Sequence, residues 1–486
     1  MFGSESWESE EHISSASAST EQRSIDDVDF VETGWRSKLK FAVAFLTSVF
    51  VFLFPIEWEG RTTIPLDVMI GLVQSASMTA VELSSFLLIL AGAALTTLAK
   101  SHYGGVYTVS ERTASRLQLS YWQTSSLFWV FRVAGVFLAA GILLGMGPGW
   151  LFSDSVVGTA WNALVLTIAL VIPIGAVFVN LLAELGGLQF VGTLAQPIMR
   201  PLFNLPGRSA LDSAASWLGS FSIGYYLTRN VFDRGGYNKR EVFVICTCFA
   251  TANLGTVGAV AAVLGVLDIF PVVVLLYLLA SLVVAGVLVR VPPLSRVPDD
   301  YIAEPDPEPR FTGTVSDYLR FAFNEGVRTA KNGQSITRAS IVGFVDGAKL
   351  AASFVGTVLA IAMAVLLIEQ NTGFFTFFAT PFVPILDLLA IPNPQIATTA
   401  IIIGGAEYFV AATLVVETDI VTKVFVLVVT SSQAIFFSAT APMMVDMFDD
   451  IPIRFRDLFL LLVLRTVLLV PVAAALTHAA AAIGLL

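Results

Sequence analysis

Glu407 stands in the string Gly404-Gly405-Ala406-Glu407-Tyr408, inside an otherwise apolar stretch. An ionisable side chain at membrane depth is costly and usually marks a partner or a ligand. The glycines allow close backbone approach, so the carboxylate could hold a coupling cation or the polar edge of a substrate. The competing reading is a carboxylate at a hairpin mouth, paired with an arginine. A second polar set, Ser209, Asp212, Ser213, Ser216, Ser220, Ser222, Tyr225 and Tyr226, falls within residues 209–227. Clustered hydroxyls could line a polar pocket, or they could be helix packing, which membrane helices build from the same residues. Asp212 also reads as a structural partner of Arg208.

A third set interrupts two apolar spans. Thr247, Thr251, Asn253, Gly255 and Thr256 break one, and Ser431, Ser432, Gln433, Ser438, Thr440 and Pro442 break the other. Unwound backbone exposes carbonyls and N–H groups that can hold ions or polar ligands. Asn and Gln both donate and accept, which suits a neutral ligand such as a nucleobase or a sugar edge. The bland alternative is a Gly/Pro kink satisfied by its own hydroxyls. The substrate-binding candidates are therefore Ser209, Asp212, Ser216, Ser220, Asn253, Thr256, Glu407, Tyr408, Gln433 and Ser438. The cation-coupling candidates are Glu407, Thr251 and Ser432. Asn180 and Glu184 end a span and serve either the site or the interface. Arg132 and Arg465 sit within apolar spans and read as structural, Arg132 snorkelling and Arg465 pairing with Asp446 or Asp457.

Nothing points to enzyme chemistry. There is no P-loop, dinucleotide fingerprint, His–Glu metal motif or Gly-x-Ser-x-Gly elbow. His12, His102 and His478 are scattered, and Cys246 and Cys248 read as small buried residues rather than metal ligands. No cofactor and no resident metal are expected.

The elements that must position these residues are membrane helices. The chain is 56% hydrophobic with mean hydropathy +0.80, and many windows reach the roughly 20 apolar residues a bilayer crossing needs. Net charge is −10 and only seven of the 27 Lys and Arg are Lys. That balance excludes a nucleic-acid footprint and fits a high-salt cytoplasm. Residues 1–34 form an acidic, Ser-rich tail that is expected to be disordered, with no basic region resembling a signal peptide.

Spans are expected at 40–55, 83–98, 127–146 and 156–182. An interfacial or re-entrant helix follows at 185–206 and a re-entrant hairpin at 209–227, then spans at 242–264 and 269–289. A polar link at 290–338, with a flexible part at 297–309, leads to a span at 350–368. An amphipathic piece at 374–392, a hairpin at 397–416 and spans at 425–447 and 458–476 complete the chain. The series is written twice, over 161–289 and 348–476. Val383-Pro384-Ile385-Leu386 answers Gln196-Pro197-Ile198-Met199, and Lys423-Val424-Phe425-Val426 answers Glu241-Val242-Phe243-Val244. Lys and Arg mark cytoplasmic loops. Arg36, Lys38 and Lys40 put the N-terminus inside. Arg200, Arg208, Arg229 and Arg234 place the first hairpin on the same side, and Glu417 and Asp419 place the second outside.

The expected fold is thus an all-α polytopic membrane protein. It has two inverted-topology repeats with re-entrant hairpins and broken helices, preceded by about three N-terminal spans. The parts are the tail (1–34), N-terminal spans (35–153), a first repeat (154–290), a cytoplasmic link (291–345), a second repeat (346–476) and a C-terminal end (477–486).

Three strings carry a family likeness. Leu205-Pro206-Gly207-Arg208-Ser209-Ala210-Leu211-Asp212 with Trp217-Leu218-Gly219-Ser220 resembles the first hairpin of the nucleoside-recognition Gate-domain membrane proteins, YjiH-like branch. Phe436-Phe437-Ser438 through Pro442-Met443-Met444, then Asp450-Ile451-Pro452-Ile453-Arg454-Phe455-Arg456-Asp457, resembles the C-terminal part of that branch. Thr63-Ile64-Pro65-Leu66-Asp67 resembles its first outer loop. The resemblance implies a fold related to the gate regions of concentrative nucleoside transporters and ferrous-iron permeases. It leaves the substrate open. Ala439-Thr440-Ala441 replaces an acidic-Gly pair of a related branch, which puts cation coupling at that point in question.

The function expected from these readings is secondary transport of a small polar solute, nucleoside-like first, coupled to Na+ or H+, in the cell (inner or plasma) membrane. The expected partners are the solute, the ion, lipid, and a homo-oligomer or membrane partner. The alternative is a non-transporting membrane partner or morphogenesis component that retains the Gate fold.

Overall fold

The computed structural model describes residues 22–24 and 34–486, apart from 153, 154, 220, 306–309, 313, 406, 407, 434–443, 445, 446, 449, 450 and 452–454. Of the candidates, Ser220, Glu407 and Ser438 lie outside the described residues.

The chain is nearly all helical. Among the described residues, seven helices are long and apolar enough to cross a membrane: Met78–Tyr103, Ser126–Leu144, Ala160–Glu184, Lys239–Val263, Leu267–Leu288, Ile336–Ile368 and Arg456–Ala482. Helix α1 (Trp35–Leu53) opens on Arg36, Lys38 and Lys40 before turning apolar. A short antiparallel hairpin, Ile56–Trp58 against Arg61–Thr63, follows. Its two turn residues, Glu59 and Gly60, both have positive φ, the backbone that a two-residue hairpin turn requires. Then come α2 (Pro65–Ala76), α3 (Met78–Tyr103), the short α4 (Glu111–Arg116) and α5 (Ser126–Leu144). A π-helical run, Ser155–Leu166, leads into α6 (Thr167–Glu184).

Helix α7 (Gly187–Phe203) is entered and left through the left-handed residues Gly186 and Asn204. Helices α8 (Ser209–Leu218) and α9 (Phe221–Phe232) form the first hairpin. The next span is broken. Helix α10 (Lys239–Val244) starts in an Asn238/Glu241 capping box, and a π turn follows at Ile245–Phe249. The chain leaves the helix at Ala250 and restarts as α11 (Leu254–Val263). Helix α12 (Phe270–Leu288) ends this series.

The polar link is helical in its second half. It holds an 18-residue helix, α13 (Val315–Asn332), started by a Thr314/Asp317 capping box. Lys40 Nζ donates to the Ala330 and Gly333 carbonyls at its end, at 2.7 and 2.8 Å. Such a tie satisfies carbonyls that the helix itself leaves unpaired. Helix α14 (Ile336–Thr372) also begins earlier than expected and runs 37 residues. It is followed by α15 (Phe374–Ala379), α16 (Val383–Leu388), the second hairpin of α17 (Pro394–Gly404) and α18 (Tyr408–Val415), α19 (Ile420–Ser432) and α20 (Phe455–Ala482).

Helix α14 is the central post, packed on α3, α5 and α6. Small residues set this closeness. A Cβ on Gly92 would sit 1.8 Å from the Ala352 carbonyl oxygen, and one on Gly135 would sit 2.2 Å from that of Gly356. Helices α12, α19 and α20 pack on one another, so the ends of both broken spans meet in the same interior.

Candidate functional site

A cavity of about 540 Å³ opens between α5, α6 and α14 and the start of α11. Four expected site residues line it: Thr251, Asn253, Thr256 and Tyr408. They arrive there because the first broken span restarts at this point. Asn253 is the N-cap of α11, its Oδ1 accepting from the Thr256 backbone N–H at 2.9 Å. Thr256 Oγ1 donates back to the Asn253 carbonyl at 2.9 Å. Both side chains are half-buried and face the opening.

Thr251 belongs to a hydrogen-bond chain whose direction is fixed by its ends. Trp217 Nε1 can only donate, and does so to Thr251 Oγ1 at 2.9 Å. Thr251 Oγ1 and Tyr277 Oη are 2.5 Å apart. The Tyr277 hydroxyl donates to the Ala252 carbonyl at 2.6 Å, so Thr251 must donate to Tyr277. Its proton is thereby committed inside the protein, while its oxygen still borders the cavity.

The opposite wall is α14, which the sequence reading left out of the site. Ser353 and Thr357 line the cavity together with Phe354. Thr357 Oγ1 is buried and has no hydrogen-bond partner among the described residues. Arg132 also lines it, with Nη1 donating to Thr96 Oγ1 at 2.5 Å and Nε buried with no hydrogen-bond partner among the described residues. A buried polar atom left unpaired costs about 1–3 kcal/mol, so these two atoms are where a ligand would be received. Asn180 and Glu184 reach the cavity too, Asn180 while donating to the Ala339 carbonyl at 2.8 Å. Aromatic faces complete it: Phe354 stacks on Phe409 at 5.3 Å, and Phe409 lies 4.3 Å from Tyr408.

Ser209, Asp212 and Ser216 lie elsewhere. All three are buried in the first hairpin. Ser209 Oγ donates to the Pro206 carbonyl at 2.6 Å, and Ser216 Oγ to the Asp212 carbonyl at 3.1 Å. The Asp212 carboxylate accepts from Thr228 Oγ1 at 3.0 Å, tying α8 to α9. A Cβ on Gly224 would come within 2.0 Å of Ser216 Oγ, so α9 rides close over α8. The hairpin's Gly219 reaches the cavity.

Ser432 and Gln433 end α19 behind the cavity, where Ser432 Oγ faces the Tyr277 carbonyl at 3.5 Å. Gln433 Nε2 donates to Thr466 Oγ1 at 2.8 Å, and its buried Oε1 has no partner among the described residues. Arg465, on α20 and 1% exposed, pairs with backbone carbonyls rather than with the expected Asp457, while Asp446, the other expected partner, lies outside the described residues. It donates to three backbone carbonyls: Ser432 at 2.7 Å, Thr247 at 3.4 Å and Cys248 at 3.3 Å. The broken helices supply the acceptors that a charge-pairing argument looks for in Asp and Glu.

Residues 165–267 match the Gate family, described as nucleoside recognition. The matched stretch runs from α6 through the first hairpin to the end of the broken span. Over 452 residues the chain is 29% identical to an uncharacterized protein of Alkalihalophilus pseudofirmus, covering 91% of this chain and 94% of that one. Among solved structures it is similar to an asparagine-to-leucine variant of CNTnw in its third intermediate state. That match has a TM-score of 0.45 at 14% identity and covers 92% of this chain and 99% of that chain. A double variant of CNTnw in an outward-facing state matches with a TM-score of 0.40 at 15% identity, covering 85% and 100%. The chain is a multi-pass helical membrane protein in which residues 165–267 match the Gate family model.

Proposed function

We propose that the protein is a secondary transporter of a small polar solute, nucleosides first, coupled to Na+ or H+. The observation that carries this reading is the cavity at the restart of the broken span. It falls in the roughly 300–1,000 Å³ range of small-molecule sites. It joins aromatic faces with amide and hydroxyl groups and two buried polar atoms that have no partner among the described residues, Thr357 Oγ1 and Arg132 Nε. That mixture suits a flat base against Phe354, Phe409 and Tyr408, with Asn253 and Thr256 reading polar edges. Ser220, which follows Gly219 in the chain and lies outside the described residues, is a further proposed substrate contact.

Glu407, next to Tyr408 in the chain and outside the described residues, is the proposed coupling carboxylate, and Thr251 at the cavity is a second proposed coupling residue. Ser209, Asp212 and Ser216 serve by holding the first hairpin together, and Ser432 and Gln433 by closing the end of α19 behind the cavity; Ser438, outside the described residues, stays a proposed substrate contact. The two series of elements are proposed to run in opposite senses across the membrane, with the hairpins α8–α9 and α17–α18 as opposed gates. The N-terminus lies in the cytoplasm, the location is the cell membrane, and a homo-oligomer is a further expectation. The test is uptake of labelled nucleosides into proteoliposomes under Na+ or proton gradients. Wild type is expected to accumulate solute and E407Q to lose or uncouple uptake while remaining folded. Wild-type uptake by E407Q would remove its assigned role, and no gradient-driven uptake of any nucleoside would remove the transport reading.

A further inference from the structure

We infer that Arg465 is a resident cation: its guanidinium fills the meeting point of the two broken spans, and this locus takes no exchangeable Na+. The last carbonyls of a helix lack N–H partners within it and carry partial negative charge. Here two such ends converge, Thr247 and Cys248 from the π turn and Ser432 from α19. Converging carbonyls of unwound helices are the kind of group that holds Na+ or a proton carrier in repeat transporters. In this chain each of the three accepts instead from one nitrogen of one guanidinium.

The arrangement is built, not incidental. Ala252 N–H donates to the Ser431 carbonyl at 3.3 Å, so the two broken spans also touch directly beside the arginine. The side chain comes from a third element, α20, and is 1% exposed. Its partners among the described residues are carbonyls, so no carboxylate there neutralises its charge. A planar fork of five donors can serve several carbonyls at once, whereas a lysine reaches them from a single point. Two more oxygens on the same helix end, Ser431 Oγ and Gln433 Oε1, are buried and have no hydrogen-bond partner among the described residues. Truncating Arg465 would therefore leave an oxygen-rich hole suited to a small cation.

The inference rests on the transport reading only for its consequence, that any exchangeable coupling ion binds elsewhere. Its test involves no transport. Thermal unfolding midpoints of the purified full-length protein are compared for wild type, R465A, R465K and R465M, in choline, in Na+, and with low-millimolar methylguanidinium. The expected result is a midpoint several degrees lower for R465A and R465M, with R465K between them and wild type. Methylguanidinium should raise the R465A midpoint saturably and leave wild type unchanged. An R465M midpoint equal to wild type, or no recovery of R465A by methylguanidinium, would overturn the inference. Where R465A yields no folded protein, R465K against R465M decides: equal losses would overturn it, and a smaller loss in R465K would uphold it. Failure of uptake assays leaves these midpoints untouched, and failure here leaves the cavity reading standing.

Discussion

Replacing Tyr277 with Phe tests the hydrogen-bond chain that fixes the broken span beside the cavity. The change removes one hydroxyl and two bonds, the 2.5 Å contact with Thr251 and the 2.6 Å bond to the Ala252 carbonyl. The ring stays packed. Each bond is worth about 1 kcal/mol net, and a buried group left unpaired costs about 1–3 kcal/mol. Ala252 is buried, so its carbonyl bears that penalty, while the Thr251 hydroxyl can turn toward the cavity. The expected loss for Y277F is therefore about 2–4 kcal/mol. T251V keeps shape and branching but deprives Trp217 Nε1 of its 2.9 Å acceptor, at about 1–3 kcal/mol. The Thr251–Tyr277 bond is lost in both single variants. The double variant should consequently cost less than their sum by about 1 kcal/mol, as groups in one network do. Reversible denaturation in mixed micelles reads all four corners of the cycle. Additivity within about 0.3 kcal/mol would refute the shared bond and with it the direction assigned to the chain.

Three further outcomes follow from the packing and caps. N253A removes the N-cap of α11 and should cost about 1 kcal/mol; a solute-binding titration should show weaker binding as well, whereas N253D should restore the cap. G135A places a Cβ where only 2.2 Å separates it from the Gly356 carbonyl oxygen. Helices α5 and α14 must then separate, and thermal scans should show a large destabilisation that G34A, with open space around it, does not. K40M strips two donors from the end of α13 and should cost about 1–3 kcal/mol; hydrogen exchange should rise at the end of α13 more than elsewhere in that helix.

Hydropathy and Gly/Pro punctuation placed seven of the expected spans and the two helix pairs α8–α9 and α17–α18, because membrane helices must be apolar and their breaks must be polar. The expected span at 40–55 falls in α1, which is not among those seven, and the one at 425–447 meets α19, which ends at Ser432, and then runs mostly outside the described residues. The breaks after Phe249 and Ser432 were readable from Thr251, Asn253 and Gln433. The link was read only as polar, with no helix assigned in it. Its Pro and Asp content around residues 297–309 hid α13, although Thr314 and Asp317 spell a capping box three residues apart. Asp346 and Lys349 delayed the expected start of α14, yet they sit on an exposed part of it as an i,i+3 pair at 3.3 Å. Ser353 and Thr357 were passed over because isolated hydroxyls in an apolar helix usually bond their own backbone, as Ser353 does to the Leu350 carbonyl. Arg465 defeated the reading for a different reason. Its partners are backbone carbonyls, and every residue type carries one, so composition gives no signal for them.

The most direct measurement is the thermal stability of the purified protein against nucleosides, nucleobases, amino acids and short peptides, with and without Na+. A ligand bound only by the folded state stabilises it by about 2.7 kcal/mol at a hundred times its Kd. The account predicts a saturable rise for nucleosides that shrinks in N253A. A panel without any shift, or one in which amino acids or peptides alone raise the midpoint, would contradict it.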